Sequence, residues 1–322
     1  MRDLATWPAA HAALSAEEVR AVANRVRPHV DAYLASDGTP PEAYYVALEP
    51  LLVPLCGWLN VQREPDVGPT IAGIAGAQGT GKTTIAEVIR SILTIGFGAN
   101  CVRLSLDDLY LTRAERDRLA REIHPLLRTR GVPGTHDVAL GRDVLDQLRA
   151  ADSNTQIRVP RFDKAADDRA PEGAWSSASV PIDVVLFEGW CVGAEPEPAA
   201  ALAQPVNALE RDADADGRWR SYVNAQLAGP YRRLFELIDV SLFIAAPDLA
   251  SSRTWRIAQE HQLRARSTAA QRLMSDAEVE RFVQFYERIS QRMLADAPDR
   301  ADVVLSLARD HTFAGVRVNT RG

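Results

Sequence analysis

Residues 70–84 read TIAGIAGAQGTGKTT. The first seven are apolar or small, the pattern of a short buried strand. The remainder satisfies G-x-x-x-x-G-K-[ST], running from Gly76 to Gly81, Lys82 and Thr83. Glycines let successive backbone N–H groups turn inward, and the helix that follows aims its positive N-terminus at the same space. Gly76, Ala77, Gln78, Gly79, Thr80, Gly81, Lys82, Thr83 and Thr84 therefore read as a cradle for nucleotide phosphates. Lys82 is the residue to reach the β- and γ-phosphates, and the Thr83 hydroxyl the one to bind Mg²⁺.

Further apolar strands follow at CVRLSLDD (101–108), DVVLFEGW (183–190), DVSLFIAAP (239–247) and DVVLSLA (302–308). Helical stretches lie among them at 84–93, 143–150, 229–237 and 275–296. Such alternation predicts an α/β fold of the P-loop type, a five-stranded parallel sheet sandwiched by helices. Ligands of such sheets gather at the carboxyl ends of the strands.

Upstream, Val19, Val22, Val26, Val30 and Tyr33 recur at helical spacing over 16–36, with Ser15 ahead of Glu17 and Glu18 as an N-cap. A second helix is predicted over 41–60, with Leu48, Leu51, Leu52, Leu55 and Leu59 on its apolar face. Residues 1–67 thus read as an N-terminal helical appendage, REPDVGP (63–69) as a linker, and 68–322 as the nucleotide-binding domain. The stretch 193–218, rich in Ala, Pro and Asp, reads as an exposed excursion.

The formal net charge is −6, which disfavours a nucleic-acid partner. Cys56, Cys101 and Cys191 form no C-x-x-C pair and read as buried apolar residues. The first 18 residues lack the apolar core of a signal peptide. No run approaches the ~18 apolar residues of a membrane span. Together these features suit a cytoplasmic protein.

The cradle specifies a nucleoside triphosphate but not the fate of its phosphate. Neither N-K-x-D nor LSGGQ occurs, nor an HRD and DFG set. The strand ends are more informative. SLDDLY (105–110) places two carboxylates beside the loop, and a kinase acting on a hydroxyl needs a group to orient the acceptor and take its proton. Asp107 is the choice for that role, while Asp108 fits a cap on the helix TRAERDRLARE. LFEGW (186–190) puts Glu188 in the position of a metal-holding acid. RGVPGTHD (130–137) and VPRFDKAADDR (159–169) lie between, presenting His136, Asp137, Arg161, Asp163, Lys164 and Arg169.

These five strings, in this order, resemble the D-glycerate 3-kinase family of plant and bacterial P-loop type, related to uridine kinase, phosphoribulokinase and pantothenate kinase. The resemblance spans about 70–308. It implies a P-loop kinase fold and transfer of the γ-phosphoryl of ATP, with Mg²⁺, to a small-molecule hydroxyl acceptor. It implies Asp107 as general base, Tyr110, His136, Asp137, Asp163 and Arg169 near the acceptor, and Arg161 as a partner for a carboxylate. The segment SSRTWRIAQEHQLRARSTAAQRLMSDAEVERFVQFY (251–286) resembles the family's lid, about 251–296, with Arg256 as its catalytic arginine and Arg253 and Arg264 as weaker candidates. Leu109 and Phe162 stand where the family commonly has Phe and Tyr. Other acceptors (nucleosides, pantothenate, sugar acids) stay open, as does an ATP-binding regulator that phosphorylates no metabolite. The sequence leaves the oligomeric state open.

Overall fold

The strands, in chain order, are β1 (Thr70–Gly76), β2 (Cys101–Ser105), β3 (Gln156–Val159), β4 (Phe162–Asp163), β5 (Asp168–Arg169), β6 (Ser176–Ser179), β7 (Val184–Gly189), β8 (Val240–Ala245), β9 (Val303–Leu307) and β10 (Phe313–Val318). They come from a computed structural model that describes residues 5–63, 68–150, 155–266 and 274–319, with backbone alone at 262–266.

The main sheet runs β10-β9-β8-β1-β7-β2. Its five expected strands are parallel, and β10, not foreseen, joins the edge antiparallel to β9. β3 pairs with β6 and β4 with β5 in two small ribbons. Registers Ile74↔Glu188 and Ser105↔Glu188 bring the carboxyl ends of β1, β7 and β2 level. β1 is buried at every position, as a strand packed on both faces must be.

Helices α1 (Ala16–Asp37), α2 (Glu42–Ala47) and α3 (Val53–Val61) precede the sheet; α4 (Lys82–Ser91), α5 (Arg113–Glu122) and α6 (Val138–Ala150) follow β1 and β2. Then come α7 (Ala208–Ala213), α8 (Arg218–Gln226), α9 (Arg232–Phe235), α10 (Leu249–Arg266) and α11 (Asp276–Arg300). Ser15 caps α1 in a reciprocal box with Glu18, and Gly38 ends it in the left-handed conformation. Residues 42–61 form one continuous helix through a π-helical turn at Leu48–Leu52. By length and composition that helix could cross a membrane. Its Leu48, Leu51, Leu52, Leu55 and Leu59 are nevertheless fully buried in the protein core.

That core is shared. Val26, Val30 and Leu34 of α1 and the leucines of 48–59 pack with Ile74, Ile85, Leu186, Leu242 and Leu305 on one sheet face. The opposite face, through Ile71, Phe187 and Phe243, packs on α6, α9 and α11. The 193–218 stretch is less exposed than its composition suggests, since Leu209, Glu210 and Asp214 are buried. The cause is Arg288 of α11. It donates to both Glu210 carboxylate oxygens (2.8 and 2.7 Å), to Glu197 (2.9 Å), and to the carbonyls of Ala201 and Gln204.

Candidate active site

The phosphate loop leaves β1 at Gly76, where a Cβ would lie 2.7 Å from the Ile244 carbonyl oxygen. Gly79 has φ +81°, and a Cβ there would meet Arg256 N, Ser252 O and Trp255 Cβ at 3.0 Å each. The start of α10 therefore rests directly on the loop, and only glycine permits both the conformation and the approach. Thr80 Oγ1 donates to the Ala77 carbonyl (2.8 Å), as does Lys82 Nζ (3.0 Å), which folds the lysine back over its own loop. Burial lowers the Lys82 pKa, with Glu188 and Asp107 pulling against it. The Thr84 hydroxyl donates to Asp37 at the end of α1 (3.3 Å).

Thr83 lies in the first turn of α4 and Glu188 one residue before the end of β7. The Thr83 hydroxyl donates to Glu188 Oε1 (3.3 Å), which also accepts from Arg103 Nη1 (3.1 Å). A hydroxyl and a carboxylate in mutual reach at the mouth of the loop are the hard oxygen donors that Mg²⁺ takes, so this pair fits that ion.

β2 runs into a 3₁₀ turn, Leu106–Leu109, begun by Ser105 Oγ accepting from Asp107 N. Asp107 Oδ1 accepts from the Tyr110 hydroxyl (2.8 Å) and Oδ2 from Lys164 Nζ (2.9 Å). Burial disfavours the Asp107 charge. The Lys164 ammonium and the hydrogen bonds from Lys164 and Tyr110 outweigh it and hold the carboxyl well below the usual carboxylate range. Asp108 turns the other way, accepting from Arg161 Nη1 (2.8 Å) and from Phe162 N (3.1 Å). It does not cap α5. Thr112 does, in a reciprocal box with Glu115, because a T-x-x-E string sits closer to the helix start.

Beyond Asp107 stands an aromatic wall. Tyr110 and His136 stack at 4.6 Å, and Phe162 meets Tyr110 edge-on at 5.1 Å. His136 Nδ1 lies 2.6 Å from the Tyr231 hydroxyl, which accepts from Gly134 N (3.0 Å). The buried Tyr231 O–H needs an acceptor of its own, and His136 Nδ1 is the one beside it, so the hydroxyl donates to Nδ1 and the imidazole proton is assigned to Nε2. His136 Nε2 is buried and has no hydrogen-bond partner among the described residues. Burial pushes the His136 pKa down to about 3, against the pull of Asp107, so the ring is neutral.

The remaining predicted residues are engaged. Asp137 caps α6 through Leu140 N (3.0 Å) and pairs with Arg169 (2.9 Å), which also donates to the Tyr110 carbonyl. Arg161 is paired with Asp108. Asp163 is exposed and accepts from Ala165 N and Ala166 N, shaping the turn that carries Lys164. On α10, Arg256 is mostly buried and pairs with Glu260 (2.9 Å), while Arg253 lies 3.7 Å from Glu287. The side chain of Arg264 lies outside the described residues.

Lys164, presented by the string 159–169, joins the site, and so do three residues that sequence reading had not placed there, Tyr231, Trp255 and His311. Lys164 and Tyr231 bond Asp107 and His136, and Trp255 packs its ring against His311 at 4.5 Å. His311 Nε2 donates to the Gly79 carbonyl (2.9 Å). His311 was within reach of sequence reasoning, since it lies in a polar string just past the carboxyl end of a predicted strand.

A parallel sheet with a phosphate cradle on its central strand, an oxygen pair beside it and an acid turn on the next strand end defines a P-loop kinase. No protein-family profile matches the chain. It is 34% identical over 253 residues to the uncharacterized kinase mug58 of Schizosaccharomyces pombe, spanning 74% of this chain and 86% of that protein. It is 31% identical over 257 residues to the chloroplastic D-glycerate 3-kinase of Arabidopsis thaliana, spanning 76% of this chain and 53%, about half, of the plant protein. The structure of D-glycerate 3-kinase from Cryptococcus neoformans superposes with a TM-score of 0.65 at 26% identity, covering 78% of this chain and 90% of that one. The chain belongs to a family of P-loop kinases that includes mug58, and D-glycerate 3-kinases are among its homologues.

Proposed function

We propose that the protein transfers the γ-phosphoryl group of ATP to a hydroxyl of D-glycerate, giving 3-phosphoglycerate. The observation that carries the reading is Asp107. It is an ionised carboxylate, oriented by Tyr110, whose charge is felt by the phosphate-loop Lys82. In this reading the acceptor O–H bond breaks toward Asp107 as the oxygen attacks the γ-phosphorus. The bond to the bridging oxygen breaks in turn, and its electron pair leaves with ADP. Lys82 and the loop amides hold the phosphates, and Arg256 swings from Glu260 to the transferring group as the lid closes. Thr83 and Glu188 would hold Mg²⁺, which neutralises phosphate charge when bound. The neutral His136 offers its Nε2–H to an acceptor oxygen. The Asp108–Arg161 and Asp137–Arg169 pairs fix the loops that enclose the acceptor.

The test is ATP consumption across D-glycerate, pantothenate, nucleosides and sugar acids, with Asp107→Asn alongside. Turnover with D-glycerate should fall by a factor of about 10² or more in the variant, with ATP affinity unchanged by calorimetry. Inactivity of the wild type toward D-glycerate, or undiminished turnover in the variant, would refute the assignment.

A further inference from the structure

We infer that Lys164 recognises the anionic group of the acceptor, and that its transfer from Asp107 to that group is what readies the base. The inference rests on the kinase reading above. It starts from the cations around the acid turn. Arg161 is paired with Asp108 and Arg169 with Asp137. Arg130 pairs with Asp167, and Arg116 is buried among the carbonyls of Leu111, Arg128 and Asp167. Lys82 is held on the phosphate loop. Each of these has a partner that the reaction does not need.

Lys164 differs on two counts. Its ammonium rests on the carboxylate assigned as the base, 2.9 Å from Oδ2. Its side chain is also 61% exposed, on a turn whose backbone is fixed by Asp163, so the ammonium can move while its anchor stays. A lysine is a compact charge on a flexible stem with three donors, suited to exchanging one oxygen partner for another.

The exchange has a direction. While Lys164 holds Asp107, the carboxylate is a poor proton acceptor. An acceptor that brings its own carboxylate offers the ammonium an equivalent partner, and Asp107 regains proton affinity as the hydroxyl arrives. An uncharged polyol of the same size offers nothing in return and meets a clamped base. One residue thereby selects the substrate class, a small hydroxy acid, and couples that selection to the proton transfer.

The experiment compares D-glycerate with glycerol, using the full chain, ATP and Mg²⁺. Lys164→Met should lower kcat/KM for D-glycerate by about 10- to 100-fold, the loss of one charge-assisted hydrogen bond. The same variant should raise kcat/KM for glycerol, because the base is released. K164R should keep most of the wild-type preference. The KM for ATP should not move in either variant. A K164M enzyme that loses both acceptors by one factor, or keeps the wild-type ratio of the two, overturns the inference. Wild-type enzyme inert toward D-glycerate would instead sink the reading beneath it.

Discussion

Tyr231→Phe isolates one oxygen atom. Tyr231 is fully buried, and phenylalanine preserves its edge-on contacts with His136 (5.7 Å) and Phe235 (5.9 Å). What disappears is the hydroxyl that accepts from Gly134 N and meets His136 Nδ1. Both groups stay buried, and neither has another hydrogen-bond partner among the described residues. An orphaned buried polar group costs about 1–3 kcal/mol, so the pair costs about 2–5 kcal/mol once the lost hydroxyl's own desolvation is credited. For a chain of this length about 2 °C of melting temperature goes with each kcal/mol, giving a drop of roughly 4–10 °C. The functional consequence is separate. Without the hydroxyl the imidazole is free to carry its proton on Nδ1, and the donor at Nε2 is lost. Thermal melts and steady-state kinetics read the two effects: a lower melting temperature, a several-fold higher KM for the acceptor, and an unchanged KM for ATP. A variant melting within about 1 °C of wild type with an unaltered acceptor KM would refute the tautomer argument and the stability argument together.

Stability should also depend on pH through His136. Its folded-state pKa is about 3 against an ordinary 6.5, so between those values the unfolded chain binds a proton that the folded chain refuses. Stability is therefore full above pH 6.5 and is lost as pH falls toward 3, by up to about 1.4 kcal/mol per unit from this group. Asp107, depressed from an ordinary 3.8, and Glu18, depressed from 4.5 by its Ser15 hydrogen bonds, contribute stability lost below those values, which leaves about pH 5–6.5 to the histidines. Denaturant melts of His136→Gln across that window should show a shallower slope, with the remainder carried by His311, also lowered by burial; an unchanged slope would contradict a neutral buried His136. Removing Glu210, the buried partner of Arg288, should cost about 3–5 kcal/mol and open 193–218 to proteolysis, whereas replacing both residues by apolar ones should recover much of the loss. Equal proteolysis of Glu210→Ala and wild type would show that this pair does not hold the segment.

The strands were legible because a parallel strand covered on both faces must be apolar throughout. TIAGIAG at 70–76 predicted β1 to the residue. β10 escaped because an edge strand needs no such run: FAGVRV has one buried side chain, a glycine and a bulge. The helices of 1–67 were legible from their spacing. Their burial against the sheet was not, since periodicity marks an apolar face without naming what covers it. The same limit governed the site. The phosphate loop announces itself because its backbone path dictates its residues. Lys164 and Asp107 are 57 positions apart, and His136 and Tyr231 are 95 apart, and no spacing rule connects them. Arg161, read as a partner for a carboxylate, meets Asp108, a neighbour that only folding supplies. Thr112 was a different omission, because its T-x-x-E signature was visible and still not used.

The shared core of the first three helices and the sheet bears on how the chain is made. α1 to α3 are complete at Val61, yet the surface that buries them includes β9 and β10, which begin at Val303 and Phe313. At roughly 5–20 residues per second, the last of those strands leaves the ribosome tens of seconds later. During that interval Leu48, Leu51, Leu52, Leu55 and Leu59, continuous enough to resemble a membrane segment, have no complete partner surface. Synthesis interrupted before β9 and β10 leaves the most apolar helix of the chain without part of the surface that covers it.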